Sequence, residues 1–317
     1  MSKVLFTADL HIKLGQRNVP KEWQKQRYKE LFEYLHQYAT EVDLVILGGD
    51  IFDKLPTPEE FALYTDLILG FNTKTVIIDG NHESGRKGVT WLTQFKAITS
   101  AANPLVQIVD EITTINGIQF LPYCKLHKEL ESLNPESNIL VTHVRGKIEP
   151  YVKPEVDLSL FEKWDVVFAG DLHSHSNTQL NIVYPGSPLT TSFHRSTVET
   201  GILVIETDDP KNYQFIPLEL PQLIRKTVSC EEEIKEGVYD HIIYEITGTT
   251  SELIAVKDNE LLDKKINIKE SSAELDLSIS TTVEQEIETY AKEVLNLDNE
   301  AIATIVEMYS GGISDSP

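Results

Sequence analysis

Val76-Ile77-Ile78-Asp79-Gly80-Asn81-His82-Glu83 is the stretch on which the fold turns. A short β-branched run ends at a glycine, and an amide, an imidazole and a carboxylate follow at once. Four further segments repeat that design. Val4-Leu5-Phe6-Thr7 runs into Asp9-Leu10-His11, and Leu44-Val45-Ile46-Leu47 into Gly49-Asp50. Ile139-Leu140-Val141 leads to Thr142-His143, and Val166-Val167-Phe168 to Gly170-Asp171-Leu172-His173. Singly, an Asp-x-His or a Gly-Asp at the end of an apolar run is an ordinary turn. In series they put five sets of metal-binding side chains at the ends of consecutive predicted strands.

The runs are short, continuously apolar and rich in branched residues, as central strands covered on both faces should be. Helical stretches lie between them. Trp23, Tyr28, Leu31, Phe32, Leu35 and Tyr38 follow helical spacing, and Thr57-Pro58-Glu59-Glu60 offers an N-cap, a first-turn proline and a capping-box acid before Phe61 to Leu69. Alternating strands and helices predict a layered α/β domain whose ligands gather at the carboxyl ends of the strands. Gly49, Gly80 and Gly170 stand just before their ligands, where the chain must turn sharply and allow a phosphate near the backbone.

Chemistry gives the reason for collecting these residue types. Cleaving a phosphoester at neutral pH requires a strong nucleophile and neutralisation of the oxygens in the in-line transition state; two divalent cations about 3.5–4 Å apart supply both. A bridging carboxylate with imidazole, carboxylate and amide oxygen on either side suits manganese, iron or zinc.

The order Asp-x-His, Gly-Asp-x-x-Asp, Gly-Asn-His-Glu, His, Gly-x-x-His resembles the calcineurin-like metallophosphoesterases. Gly49-Asp50-Ile51-Phe52-Asp53 and Tyr184-Pro185-Gly186-Ser187-Pro188 narrow the likeness to the SbcD/Mre-type nuclease subunits, especially the recombination nucleases of large bacteriophages. It is strongest from residue 3 to about 205. The resemblance implies a layered sandwich of two mixed β-sheets flanked by helices, with a small α+β capping domain and C-terminal helices. It further implies one metal held by Asp9, His11, Asp50 and His173, and a second held by Asp50, Asn81, His143 and Asp171, with Asp50 bridging. His82 matches the residue that steadies the phosphate and protonates the departing oxygen. Glu83 is expected to orient His82, and Asp53 to have a supporting role.

The family usually carries Gly-His-x-His where this chain has Gly170-Asp171-Leu172-His173, with His175 two residues later. A carboxylate can replace an imidazole on a hard cation, which would shift preference toward manganese or magnesium. Alternatively His173 and His175 are the ligands and Asp171 stands behind them.

The chain has 317 residues, enough for a large core and a second small domain. Its two cysteines, Cys124 and Cys230, form neither metal spacing nor disulfide framework, as expected of a reducing cytoplasm, which for a phage protein is the host's. No apolar run approaches the roughly 20 residues of a membrane span. The net charge of −22 argues against a polyanionic partner. Basic residues nevertheless follow the motifs: Lys13 and Arg17, Arg86 and Lys87, Arg145 and Lys147, and Arg195. They are candidate DNA contacts, with ordinary solvated charges as the alternative, and solitary DNA binding is expected to be weak.

Asn116-Gly117 between Thr113-Thr114-Ile115 and Ile118-Gln119-Phe120-Leu121 is a hairpin signal. Gln179 to Tyr184, Gly201 to Glu206 and Tyr213 to Pro217 read as strands completing a second sheet. The expected division is a two-metal phosphoesterase domain over 1–221, a small capping domain over 222–275 and a helical segment over 282–310. In the middle region, Ile224 to Val228, His241 to Ile246 and Leu253 to Val256 read as strands, and about 272 to 280 as a linker. Val283, Ile287, Tyr290, Ala291 and Val294 share one helical face, and Ala301, Ile302, Ile305, Val306 and Tyr309 another. Such a pair packs on its own domain or, as the resemblance implies, grips the coiled coil of an SbcC-type ATPase.

Three functions follow as expectations. The first is a manganese-dependent DNA nuclease, exonucleolytic on duplex ends and endonucleolytic on single strands, acting with that ATPase in replication, recombination or repair. Some members of the resembled family form homodimers. The second is a phosphatase or nucleotide phosphodiesterase on small substrates, and the third a non-catalytic scaffold.

Overall fold

The computed structural model describes residues 2–85, 88–230, 233–248, 253–254, 256–257, 259–266, 282–293 and 297–313. Its strands are β1 (Lys3–Thr7), β2 (Leu44–Gly48), β3 (Thr75–Ile78), β4 (Ser84–Gly85), β5 (Val89–Thr90), β6 (Val106–Val109), β7 (Thr113–Ile115) and β8 (Ile118–Leu121). They continue with β9 (Ile139–His143), β10 (Val166–Gly170), β11 (Ile182–Val183), β12 (Gly201–Glu206), β13 (Gln214–Pro217), β14 (Leu223–Val228), β15 (His241–Gly248) and β16 (Leu262–Ile266). The helices are α1 (Lys21–Ala39), α2 (Pro58–Gly70), α3 (Lys96–Ala102), α4 (Tyr123–Glu129), α5 (Val283–Glu293) and α6 (Asn299–Ile313).

Two mixed sheets stack face to face. The first has six strands in the order β13-β12-β1-β2-β3-β6, and the second five in the order β11-β10-β9-β8-β7. Parallel pairing joins β1, β2, β3 and β6, with Val4 opposite Leu44 and Val76 opposite Gln107. β8, β9, β10 and β11 are likewise parallel, while β12 runs antiparallel to β1.

Alternation along each strand distributes the core. Val4, Phe6, Leu44, Ile46, Val76 and Ile78 face Phe120, Ile139, Val141, Val166 and Phe168 across the gap between the sheets. Leu5, Val45, Leu47 and Ile77 turn the other way and bury Leu31, Leu35, Tyr64 and Leu67 of α1 and α2. On the outer face of the second sheet, Leu140 and Val167 pack with Leu126, Phe161 and Trp164. Both faces of both sheets are therefore dry, which is why the strands read as unbroken apolar runs.

Local signals act as expected where they are strongest. The Thr57 hydroxyl accepts from Glu60 N and the Glu60 carboxylate from Thr57 N, a complete capping box at the start of α2. Asn116 (φ 50°) and Gly117 (φ 75°) close the β7–β8 hairpin, both in the left-handed region that a two-residue turn requires.

Three expectations are corrected. The strand foreseen over Gln179 to Tyr184 shrinks to Ile182–Val183, because Leu180 turns with a φ of 54° and Gln179 pairs back onto Ile182. Gly201–Glu206 and Gln214–Pro217 do form strands, but they extend the first sheet beside β1 rather than completing the second. Leu253 and Ile254, read as strand, are helical. The linker foreseen near 272 to 280 and Val294 lie outside the described residues.

The chain divides into two compact units, Met1–Glu245 with Asp258–Asp263, and Ile246–Lys257 with Lys264–Pro317. In the first, β14 is tied to the preceding loop: His194 N donates to Leu223 O, Arg225 N to His194 O, and Val198 N to the Gln222 side chain. In the second, α5 and α6 pack together; Ala291 and Ile302 are buried, while Val283, Tyr290 and Ile305 stay exposed.

Candidate metal centre

The ligand-bearing loops leave the strands where the parallel pairs end, and hydrogen bonds between loops fix them. Asp9 N donates to Gly49 O, His11 N to Asp50 O, and Asp171 N to the Asp9 carboxylate at 3.1 Å. Ser187, in the Tyr-Pro-Gly-Ser-Pro segment, shares its hydroxyl proton between Asp9 O at 2.7 Å and Leu189 O at 2.6 Å. Phe52 sinks among Tyr64, Trp91 and Phe95 and anchors the Asp50 loop. Four of the candidate ligands pay for this geometry in backbone strain: Asp9 (φ 58°), His11 (φ 45°), Asp50 (φ 50°) and Asp171 (φ 100°). Such conformations cost about 1–3 kcal/mol each and persist where their surroundings enforce them.

The glycines make room for protein groups rather than for substrate. A Cβ on Gly80 would collide with Asp50 Oδ1, and one on Gly49 (φ 94°) would stand 2.6 Å from His143 Nδ1.

Two donor groups meet at Asp50. In the first, His11 Nε2 lies 3.1 Å from His173 Nε2, and both lie 4.0 Å from Asp9 Oδ1. Asp50 Oδ2 is 3.5 Å from His11 Nε2 and 3.6 Å from His143 Nε2, between the groups. In the second, Asn81 Oδ1 lies 3.0 Å from His143 Nε2, 3.1 Å from Asp171 Oδ1 and 3.2 Å from Asp50 Oδ2.

Cations fit this arrangement because acceptors face acceptors. His143 Nδ1 donates to Gly48 O at 2.9 Å, which turns Nε2 toward the Asn81 oxygen, where either a proton or a cation would join the two. The Asn81 amide can meet His143 Nε2, Asp171 Oδ1 and Asp50 Oδ2 in two ways: turned with its N–H groups inward it donates to them, and with its oxygen inward a cation among them would satisfy all four. His173 Nδ1 is bonded to the Thr191 hydroxyl at 3.0 Å, so its Nε2 likewise faces inward. Asp9, His11 and His173, Asp9, Asp50 and His143, and His11, Asp53 and His82 each bring three ligand atoms close enough to share an ion.

Electrostatics separates the groups. Burial, reinforced by the imidazoles of His173, His82 and His143, pushes His11 down to about 2. Burial also opposes charge on His143, but Asp50, Asp9 and Asp171 outweigh it and raise that imidazole to about 9. Asp9 is held well above the carboxylate range by burial and by its neighbours Asp50 and Asp171.

The remaining expected residues fall out as follows. His82 Nδ1 donates to Asp53 O at 2.6 Å, and its Nε2 stands 3.9 Å from Asp50 Oδ2. Glu83 does not orient His82, contrary to expectation. Its buried carboxylate instead accepts from Asp50 N, Phe52 N and Gly80 N at 2.8–3.0 Å, stapling two ligand loops together. The Asp53 side chain pairs with Lys13 at 2.9 Å. Asp171 sits among the donors and also pairs with the Arg145 guanidinium, both contacts 3.3 Å. His175 turns elsewhere: its Nδ1 donates to Tyr184 O and its ring stacks on Phe215 at 4.5 Å, a geometry that favours Asp171 over His175 as ligand.

A cavity of about 660 Å³ opens onto Asp50, Asn81, His82, Asp171 and His173. Of the foreseen basic rim, Arg145 alone among the described residues lines it. Arg195 is taken up by Glu245 and Thr227, Arg17 is exposed on the turn after His11, and Arg86 and Lys87 lie outside the described residues. Lys147 pairs with Glu149. Sequence reasoning missed Thr191, Ser187 as a loop tie, and the buried Arg27 and Tyr28; a hydroxyl or an arginine far along the chain carries no ligand spacing that would flag it.

The family model described as "Calcineurin-like phosphoesterase" matches residues 2–189. Escherichia phage T5 has a protein named "Probable exonuclease subunit 1" that is 39% identical over 325 residues, 99% of each chain. The protein named "Putative phosphoesterase 244L" of Invertebrate iridescent virus 6 is 23% identical over 242 residues, 71% of this chain and 81% of that one. The crystal structure of TT1561 of Thermus thermophilus covers 69% of this chain and 99% of its own, with 11% identity and a TM-score of 0.42.

Proposed function

The chain belongs to the calcineurin-like phosphoesterase family and is a phosphoester hydrolase, and on that premise we propose that it is the nuclease subunit of a manganese-dependent DNA exonuclease. The observation that carries the chemistry is the meeting of two donor groups at Asp50 on the floor of one cavity, with His82 beside them. What supports DNA as substrate is the likeness to a protein named as an exonuclease subunit along 99% of both chains, C-terminal segment included.

Roles follow from position. Asp9, His11, Asp50 and His173 would hold one cation, and Asp50, Asn81, His143 and Asp171 the other. When bound, the pair neutralises phosphate oxygens and activates the attacking water. His82 is turned by the Asp53 carbonyl so that Nε2 faces the cavity, where it can bond a phosphate oxygen and pass a proton to the departing oxygen. Arg145, held by Asp171 at the cavity wall, offers its remaining N–H groups to phosphate. Double-strand exonuclease and single-strand endonuclease activities are both expected.

With a net charge of −22, the chain needs help to stay on DNA. We assign that help to a coiled-coil ATPase of the SbcC type, gripped by residues 282–310, where Val283, Tyr290 and Ile305 present apolar surface. Residues 1–221 would then be the catalytic domain and 222–275 a small cap over DNA ends. Among the described residues no helix is long and apolar enough to cross a membrane, and the host cytoplasm is the proposed location.

The test is incubation of purified protein and a His82→Ala variant with manganese and labelled duplex DNA. Nucleotide release by the native chain, reduced about 10²–10⁴-fold in the variant with metal content intact, is expected. Turnover of small phosphate esters without DNA cleavage would overturn the nuclease reading. Co-purification with the ATPase that survives deletion of 282–317 would overturn the partner assignment.

A further inference from the structure

Helix α1 carries a guanidinium that lies deep inside the protein without a counter-charge. Arg27 is 5% exposed, and among the described residues it has no carboxylate partner. Burying an uncompensated cation costs several kcal/mol, so its neighbours should reveal what it holds. Nη1 and Nη2 donate to the Thr190 hydroxyl at 3.2 Å and the Thr190 carbonyl at 2.8 Å, and the group stacks on Trp23. The next residue, Thr191, bonds His173 Nδ1.

The residue after Arg27 serves the other imidazole. The Tyr28 hydroxyl donates to His11 O at 2.5 Å and accepts from Lys13 N at 3.0 Å, so it clasps His11 on both sides in its left-handed conformation. His11 and Arg27 also line a common cavity of about 10 Å³, the size of one water, and His11 Nδ1 and Arg27 Nε are both buried without a hydrogen-bond partner, the Asp53 carboxylate standing 3.8 Å from the former. Two successive residues of one helix thus lead to the two histidines whose Nε2 atoms stand 3.1 Å apart, Tyr28 directly to the His11 backbone and Arg27 by way of Thr190 and Thr191.

We propose that Arg27, with Tyr28 beside it, is the positioning residue that holds His11 and His173 at the spacing a divalent cation requires. Arg27 acts on His173 through Thr190 and Thr191, and Tyr28 acts on the His11 backbone. Neither lines the substrate cavity, so neither touches substrate. The assignment rests on the two-metal reading above.

Manganese titration of the purified full chain, followed by the paramagnetic signal of the free ion, tests it with Arg27→Met and Thr191→Val. The first replaces the fork with an apolar chain of similar length; the second removes one hydroxyl and little else. Each should weaken one of two manganese equivalents by about 10–100-fold and leave the other unchanged, with kcat lowered and KM for an oligonucleotide constant. Native chain that binds two equivalents, with variants that bind both equally well, would overturn the assignment. So would equal weakening of both equivalents with a lowered melting temperature, the mark of a role in folding alone. Native chain that binds no manganese would remove the two-metal reading itself and the assignment with it.

Discussion

The two donor groups share Asp50 and differ in everything around it. The group of Asp9, His11 and His173 is rich in imidazole, and around it stand Thr191, Tyr28 and the buried Arg27, with the Asp53 carboxylate 3.8 Å from His11. The group of Asn81, His143 and Asp171 is mixed, with a carboxylate that is itself paired to Arg145. His11 and His143 are both buried, yet one is driven down to about 2 and the other up to about 9. Burial alone does not decide whether a histidine stays neutral. Burial pulls both down; at His11 the imidazoles of His173, His82 and His143 add to it, whereas at His143 the carboxylates of Asp50, Asp9 and Asp171 outweigh it.

The largest expected effect comes from the residue the groups share. Asp50→Asn should remove both metals from the isolated protein, measured by elemental analysis, and lower hydrolysis by at least about 10³-fold, the several kcal/mol that such ions supply. Retention of one full equivalent would mean that the groups are not bridged.

Separating the groups is the next test. Asp171→Ala should cost one equivalent of metal and His11→Ala the other, each with a loss of affinity beyond the roughly 10–100-fold typical of an outer partner. Full occupancy in Asp171→Ala would return His175 to consideration as a ligand, despite its stacking on Phe215.

Arg145→Met should leave both metals in place and raise KM for DNA about 10–100-fold, the range of a lost charge-assisted hydrogen bond. An unchanged KM would reduce Arg145 to a counter-ion for Asp171.

The smallest effect is on pH dependence. A metal entering beside His143 must displace the proton that its raised pKa retains, whereas His11 has none to give. Acidification from pH 8 to pH 6 should therefore weaken the His143 group by up to about tenfold per unit, with protons released on binding. Asp9, also raised, contributes in the same direction. Calorimetry in buffers of different ionisation enthalpy measures the release; binding without it would contradict the contrast between the two histidines.

What the sequence made legible was local. Each ligand follows a strand that is apolar on both faces, so the run and the ligand are read together, and Asn81, His143 and Asp171 converge as their positions at strand ends required. Thr57 and Asn116-Gly117 act within a few residues of themselves and were equally plain. Pairings across the chain were not: Gly201–Glu206 is visibly a strand, but nothing in it says that its neighbour is Lys3–Thr7. Glu83 was assigned to the wrong neighbour because adjacency in sequence to His82 is not contact, and its carboxylate reaches back to the Asp50 loop instead. One member of the basic rim is drawn off for a related reason. Arg195 follows a motif residue along the chain, while the fold gives it to Glu245.

The family description ends at residue 189, but β1 lies inside its sheet only because residues 201–206 run along it, Val4 opposite Ile205 and Phe6 opposite Leu203. A fragment trimmed to the recognised stretch would leave that strand with one row of backbone groups bare and apolar residues beside them, a template for aggregation. It would also strip the support from the strand that delivers Asp9. The smallest piece able to stand alone therefore runs at least through Pro217, and truncations drawn at the end of sequence likeness should precipitate rather than merely lose activity.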